Sequence, residues 1–367
     1  MKKVLIQTGS FYPAQEGGPT ITLYWLASGL ARAGYDVKVL ATTTGLNGQY
    51  SDNTWVTIND FSVIYATPSY GKQIAKPLIQ ECDCLIRSGV CQLPTHISNL
   101  KWLRRGKHIV LSPRGELFDP AIYHKGKLYG ALKMMAFKLF GVLYGKRIVY
   151  HATSSEEVEQ IRKIMGKDSK VVLIPNYMIL PKRVVVDEED RKYFVYVGRV
   201  APIKALDNLI QALSISDSFR ESDYSFVIVG NNTGAYFETL CDLIKTVNLG
   251  SKIRFVGVKT GEEKDSIVAG ARYLFLVSHS ENFGNVVIEA LAQGTPVVAS
   301  EGTPWKELIT NNAGWWVNNS PDSLAQVIDA IITQPEEQYI LQRRGALGYA
   351  KEFDIYNKIS EWVKVIG

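Results

Sequence analysis

The sequence predicts an α/β protein of two doubly wound, Rossmann-like domains, each built on a parallel sheet. Three observations predict it. Short β-branched apolar runs alternate with longer helical patterns along the whole 367-residue chain, the alternation that defines α/β folds. The apolar runs are near-continuous, as strands buried on both faces of a sheet must be. The pattern also restarts after Pro175-Asn176-Tyr177, beyond a charged stretch at Lys182–Lys192. We therefore expect an N-terminal domain over residues 1–180 and a C-terminal domain over 181–350. The aromatic-rich Lys351–Gly367 is expected as a helix that caps the second domain or packs back on the first. With 46% apolar and 21% charged residues, the chain has material for two cores, and disorder as the main state is excluded.

The elements follow in order. Val4–Gln7 reads as the first strand. Gly17-Gly18-Pro19-Thr20 then opens a helix with Ile21, Leu23, Leu26, Leu30 and Ala31 at helical spacing and Gly34 past its end, the expected punctuation. Val37–Ala41, Ile109–Ser112, Ile148–His151 and Val171–Ile174 continue the first sheet. Gly130–Tyr144 reads as a helix apolar nearly all round, interrupted by Lys133 and Lys138. It is too short to span a bilayer and either covers the first sheet or lies on an anionic membrane surface with its lysines at headgroup level. Ser154 and Glu157 make a capping-box pattern, a structural signal. Phe194–Val197, Phe226–Val229, Ile253–Val256, Tyr273–Val277 and Val297–Ala299 supply the second sheet. Ligands of such domains sit at the carboxyl ends of the strands.

Charge is unevenly spread. Residues 1–180 hold 22 Lys and Arg against 12 Asp and Glu, a balance of +10, and residues 181–367 hold 19 against 24, a balance of −5. The excess concentrates in Lys101–Arg147, with 11 basic residues against Glu116 and Asp119. A one-sided basic patch implies an anionic partner, a membrane surface or phosphorylated substrate. No zinc-finger, RNP or basic-arm pattern appears, which argues against nucleic acid. Cys82, Cys84, Cys91 and His96 fit no common zinc spacing, and the cysteines read as buried thiols of a reducing cytoplasm. The N-terminal apolar run is too short for a secretory signal.

Three segments carry candidate chemistry. Gly17 and Gly18 allow close approach of a ligand to the backbone, and the helix start beyond them favours an anion; a plain strand–turn–helix is the alternative. Gly198-Arg199, with Lys204, ends the first strand of the second domain, and two cations there can grip phosphate. The most specific segment runs from Ser278-His279-Ser280-Glu281 through Phe283-Gly284-Asn285-Val286 to Glu289. Its helix start offers N–H groups to a phosphate. Glu289, on an apolar stretch, needs donors such as sugar hydroxyls or else closes a core salt bridge. His279 is either part of the site or a structural imidazole.

Glu281 and Glu289, with the intervening Asn-Phe-Gly-Asn-Val-Val-Ile, resemble the E-x7-E signature of family 4 glycosyltransferases of the GT-B fold. Gly198-Arg199 with Lys204 resembles that family's diphosphate-binding pair, and Gly17-Gly18 its N-terminal glycine loop. The resemblance implies a retaining, metal-independent transfer of a hexose from a nucleotide sugar, UDP before GDP. It gives catalytic roles to Arg199, Lys204 and Glu281, and donor contacts to Gly17, Gly18, Gly198, Val256, Gly257, Phe283, Gly284, Asn285, Val286 and Glu289, with Glu289 on the ribose. The absence of a D-x-D motif agrees with metal independence, and no cofactor is implied. Where many relatives place a first-domain histidine, this chain has Ser112-Pro113-Arg114-Gly115-Glu116-Leu117, similar to a subgroup building bacterial surface polysaccharides. Arg114, Glu116 or His124 would then serve the acceptor or reacting-sugar region. The implied acceptor is a saccharide or lipid-linked saccharide, reached by an enzyme peripheral on the cytoplasmic face of the inner membrane. The alternatives are another GT-B enzyme, an epimerase or phosphorylase, or a non-catalytic sugar-nucleotide binder.

Overall fold

The computed structural model describes residues 1–14, 18–46, 48, 50–123, 126–186 and 191–367. The chain forms two compact units, Met1–Ile179 with Asp354–Gly367, and Leu180–Phe353.

The first unit carries strands β1 (Lys3–Gln7), β2 (Asp36–Thr42), β3 (Trp55–Ile58), β4 (Phe61–Ala66), β5 (Cys84–Ser88), β6 (His108–Ser112), β7 (Val149–Ala152) and β8 (Lys170–Leu173). They form one eight-stranded sheet in the order β3-β4-β2-β1-β5-β6-β7-β8. All neighbours are parallel except the hairpin pair β3 and β4, which turns at Asn59 in the left-handed region, φ 50°. The chain moves from β1 to β2 and β4 on one side, then returns to β5 on the other. The topological switch point of this unit therefore lies between β1 and β5.

The second unit carries β9 (Tyr193–Val197), β10 (Ser225–Val229), β11 (Ile253–Phe255), β12 (Tyr273–Leu276), β13 (Val297–Ser300) and β14 (Gly314–Val317). Their order is β11-β10-β9-β12-β13-β14, parallel throughout. Here the switch point lies between β9 and β12. Phe194, Tyr196, Phe226, Ile228, Tyr273 and Phe275 alternate into one buried cluster beneath helices Leu206–Ile215 and Pro321–Thr333.

Two helices differ from the sequence expectation. The final segment is not one helix from Lys351. A short 3-10 turn, Lys351–Phe353, ends the second unit with Phe353 packed against Phe283 and Trp305. Asp354 then accepts from the Tyr356 N–H and caps a new helix, Ile355–Ile366. This helix completes the first unit. It lies on helix Gly18–Arg32, where a Cβ on Gly29 would stand 2.6 Å from Ile355 Cγ1. Trp362 packs on His151 and Tyr177 donates to Glu361.

The apolar helix, Lys127–Tyr144, is divided between two environments. Phe137, Phe140, Gly141 and Tyr144 are buried; a Cβ on Gly141 would strike the Met165 carbonyl at 2.1 Å, so only glycine permits this approach to helix Ser155–Met165. Leu128, Leu132, Met135, Leu139 and Val142, spaced four and three residues apart, are exposed. Among the described residues, no helix is long and apolar enough to cross a membrane.

Candidate functional site

The switch point of the second unit gathers most of the residues singled out in the sequence. The Gly198–Lys204 segment leaves β9, and the Val277–Gly284 segment leaves the adjacent β12. Gly198 holds φ 156° and donates to the Val229 carbonyl at 2.9 Å. A Cβ on Gly230 would lie 2.3 Å from the Gly198 oxygen, so these loops pack backbone to backbone. Burial holds the Tyr196 phenol protonated, and it donates to the Arg199 carbonyl at 2.8 Å. Val200 N–H donates to Asn231. The loop is fixed at both ends, with Arg199 between.

Lys204 closes the 3-10 turn Pro202–Lys204, followed by Ala205 in the left-handed region, φ 50°. That turn aims Lys204 at Glu281, and the two form an ion pair with side chains only 14% and 18% exposed. The Glu281 loop is itself held: His279 N–H donates to Ile203 O and Glu281 N–H to Gly302 O, at 2.9 and 2.8 Å. His279 Nδ1 accepts from Asn319, which also bonds the Val277 carbonyl.

Gly284, φ 83°, starts helix Asn285–Ala292, and no side chain caps that start. A Cβ there would lie 2.6 Å from Leu276 Cδ2. Phe283 is buried, its carbonyl bonded by the Trp305 indole. Glu289, one turn on, pairs with Lys264 of helix Gly261–Gly270 at 2.8 Å. The ion pair expected as one of the two readings of Glu289 is present, with Lys264 as the partner. Val256 and Gly257 follow β11, two strands from the β9 that Gly198 leaves; Val256 N–H donates to Ile228 O, and Gly257 O accepts from Gly230 N–H. The unit therefore sets two lysine–carboxylate pairs beside one uncapped helix start.

The first-unit candidates do not converge in the same way. Gly17 and His124 lie outside the described residues, and Gly18 is the exposed first residue of its helix. Arg114 occupies a left-handed turn, φ 51°, and points inward to Thr22 Oγ1 at 2.8 Å and Asn176 Oδ1 at 3.3 Å. Glu116 turns the other way and accepts from the Val90 and Cys91 N–H groups at 2.5 and 2.9 Å. It lines a cavity of about 240 Å³ at the ends of β1, β2 and β5, with Gly9, Thr42 and Arg87. Of the cysteines, Cys82 and Cys84 are buried as expected, whereas Cys91 is exposed. His96 spends both ring nitrogens on Tyr144 and the Val90 carbonyl. No metal-binding group of side chains occurs among the described residues.

Behind Arg114 sits His151 on β7. Its Nε2 donates to the Ile174 carbonyl at 2.9 Å, which leaves Nδ1 to accept from Ser112 Oγ at 2.7 Å. Burial, and then the nearby Arg114 charge, push its pKa down to about 3. The unfolded imidazole titrates at about 6.5, so between these values the unfolded chain binds a proton that the folded chain does not. Stability should fall by about 1.4 kcal/mol per pH unit as pH drops below 6.5, levelling near 3. Urea unfolding at pH 7 and pH 5 checks this against His151→Gln; equal losses in the two proteins would refute it.

Residues 181–347, which lie within the second unit, match the family model Glycosyl transferases group 1. An uncharacterized glycosyltransferase of Methanocaldococcus jannaschii is 26% identical over 223 residues, 59% of each chain. The chain thus spans less than two thirds of that relative's length. Among solved structures, sucrose-phosphate synthase from Thermosynechococcus elongatus superposes with a TM-score of 0.76 at 18% identity, covering 99% of this chain and 98% of that one. Anabaena HepE, solved in complex with UDP-glucose, gives 0.73 at 18% identity over 99% and 100%. These likenesses establish the fold as GT-B.

Proposed function

We propose that the chain is a retaining, metal-independent glycosyltransferase. It moves a hexosyl group from a nucleotide diphosphate sugar, UDP before GDP, to a lipid-linked saccharide in bacterial surface polysaccharide synthesis. The observation that carries this reading is the Lys204–Glu281 pair at the switch point, beside the uncapped start of helix Asn285–Ala292. As the glycosidic bond breaks, charge grows on the leaving diphosphate. In this reading Arg199, Lys204 and the helix N–H groups stabilise that charge without a metal. The diphosphate replaces Glu281 as the partner of Lys204, which frees the Glu281 carboxylate to meet the sugar hydroxyls. Glu289 turns from Lys264 to the ribose hydroxyls, with Val256 and Gly257 at the base. The HepE complex supports the choice of UDP.

The donor half is tested by calorimetry with UDP, GDP and their sugars. UDP should bind, and Glu289→Ala should weaken it about tenfold, the scale of one hydrogen bond to a charged group. Equal nucleotide affinity in the variant would count against the ribose assignment.

The membrane half is supported by helix Lys127–Tyr144. Its exposed stripe is narrow and continuous, with Leu128 77% and Val142 79% exposed. The helix contains three lysines and no acidic residue, and Lys146 and Arg147 follow it. A second copy on this face would oppose like charges, whereas an anionic lipid surface complements them. Sedimentation with phosphatidylglycerol vesicles should carry the protein down, and the double change Leu132→Glu with Leu139→Glu should leave it in the supernatant. Unchanged sedimentation of the double variant would remove the helix from this role.

A further inference from the structure

We propose that the groove between helices Pro68–Glu81 and Leu93–Leu103 of the first unit binds a phosphate ester carrying an apolar group, the anchoring end of the acceptor. The inference rests on the transferase reading above and assigns residues that reading does not use.

The groove has a volume of about 650 Å³ and opens at the carboxyl ends of β1, β2, β4 and β5. This spans the switch point of the first unit, where doubly wound sheets take their ligands, and the volume suits an organic ligand. Lys72, Lys76, Lys101 and Arg87 line it, and among the described residues no acidic one does. Lys72 and Lys76 stand one turn apart on the same helix, so they repel each other in the absence of an anion.

Arg87 is the second, independent observation. It lies one residue before the end of β5 and is only 4% exposed, yet its guanidinium meets neutral acceptors alone: Thr95 O at 2.9 Å, Asn99 Oδ1 at 2.6 Å and Ser98 Oγ at 3.0 Å. Its Nε has no partner among the described residues. A buried cation without a carboxylate is costly and is normally paired. A phosphate in the groove supplies the missing charge, and Arg and Lys are the side chains that grip it.

The rest of the lining shows what else the ligand carries. Ala66 and Ile79 line the groove and are buried. Ile97, which also lines it, is 59% exposed. A free phosphate ion would leave this apolar surface wet, whereas an alkyl or prenyl phosphate covers it.

The probes are octyl phosphate below its micellar concentration, octyl glucoside and inorganic phosphate, titrated against the full chain by calorimetry. Octyl phosphate should bind at least tenfold more tightly than either of the others. Lys72→Ala and Lys101→Ala should each weaken it about tenfold, while UDP binding stays unchanged. Arg87→Lys should retain part of the affinity; since Arg87 also ties β5 to the following helix, the lysine variants carry the test. Octyl glucoside binding as tightly as octyl phosphate would overturn the anion assignment. Inorganic phosphate binding equally well would overturn the apolar one. Wild-type affinity in the Lys72→Ala, Lys101→Ala double variant would overturn the site. Octyl phosphate binding without any sugar transfer would leave the groove standing and remove the transferase reading instead.

Discussion

Lys204→Ala is expected to cut sugar-transfer turnover by roughly 10²–10³, the loss found when one donor to a developing anion is removed. The size follows from how Lys204 is held. Its turn ends in a left-handed Ala205, and its ammonium already faces Glu281 in a mostly buried pair. The charge is therefore in place before substrate arrives and needs no reorganisation at the moment of bond breaking. Removing it also leaves Glu281 unneutralised beside the incoming diphosphate, which adds repulsion to the lost attraction. Two comparisons separate these terms. Lys204→Arg keeps the charge and should retain more activity than alanine. The double change Lys204→Ala with Glu281→Ala should lose less than the sum of the single changes in free energy, because the unpaired carboxylate is gone. The measurement is steady-state turnover of a UDP-sugar by variants whose melting temperature matches the parent. A folded Lys204→Ala retaining more than a third of parental turnover would sink the assignment.

The same pair shows which features were legible in the sequence. Strands such as β9, β10 and β12 are buried on both faces, so their apolar runs stand out, and the loops after them begin with glycine or polar residues at fixed places. Lys204 and Glu281 were visible for that reason, and the switch point brings them together. Lys264 was not visible, because Gly-Glu-Glu-Lys-Asp reads as the solvated first turn of any surface helix; only the packing of that helix beside Asn285–Ala292 gives it a partner. β5 escaped notice because Cys-Leu-Ile-Arg-Ser carries an arginine, which periodicity alone assigns to the surface, and here the arginine is buried. β3 and β14 were missed for another reason: short edge strands are half-buried and carry weak patterns. Helix Lys127–Tyr144 was found, but uniform apolarity cannot tell a sequence reader which face meets the core. Gly130 and Gly141, which permit its close contacts with Tyr123 and Met165, mark the buried side only once the neighbours are known. The break between Ala350 and Ile355 depends on one capping side chain, Asp354, within an otherwise helical run.

Glu157→Ala should produce the largest loss of stability, and it should do so in the first unit. Glu157 completes the expected cap, its N–H bonded to Ser154 Oγ at 3.2 Å. Its carboxylate does more than a capping box requires. Fully buried, it accepts from Thr153 N and Oγ1 at 2.8 and 3.0 Å and from Gly115 N at 2.7 Å. One side chain thus ties the start of a helix to the Pro113–Leu117 loop that places Arg114 and Glu116. Alanine removes the carboxylate acceptor from two backbone N–H groups, the buried one of Thr153 and the half-buried one of Gly115, at about 1–3 kcal/mol each. It also removes the negative charge that partly offsets the burial of Arg114, whose pKa burial pushes down to about 10. A total of about 3–5 kcal/mol is expected, and at 2–4 °C per kcal/mol for a unit of this size the first unit's transition should drop by about 10 °C. Glu157→Gln should fall between, since its amide keeps one acceptor but turns a donor toward a backbone N–H. Scanning calorimetry distinguishes the outcomes, with UDP added to shift the second unit's transition away. A drop smaller than about 3 °C for alanine would show that the loop and helix hold each other by packing alone.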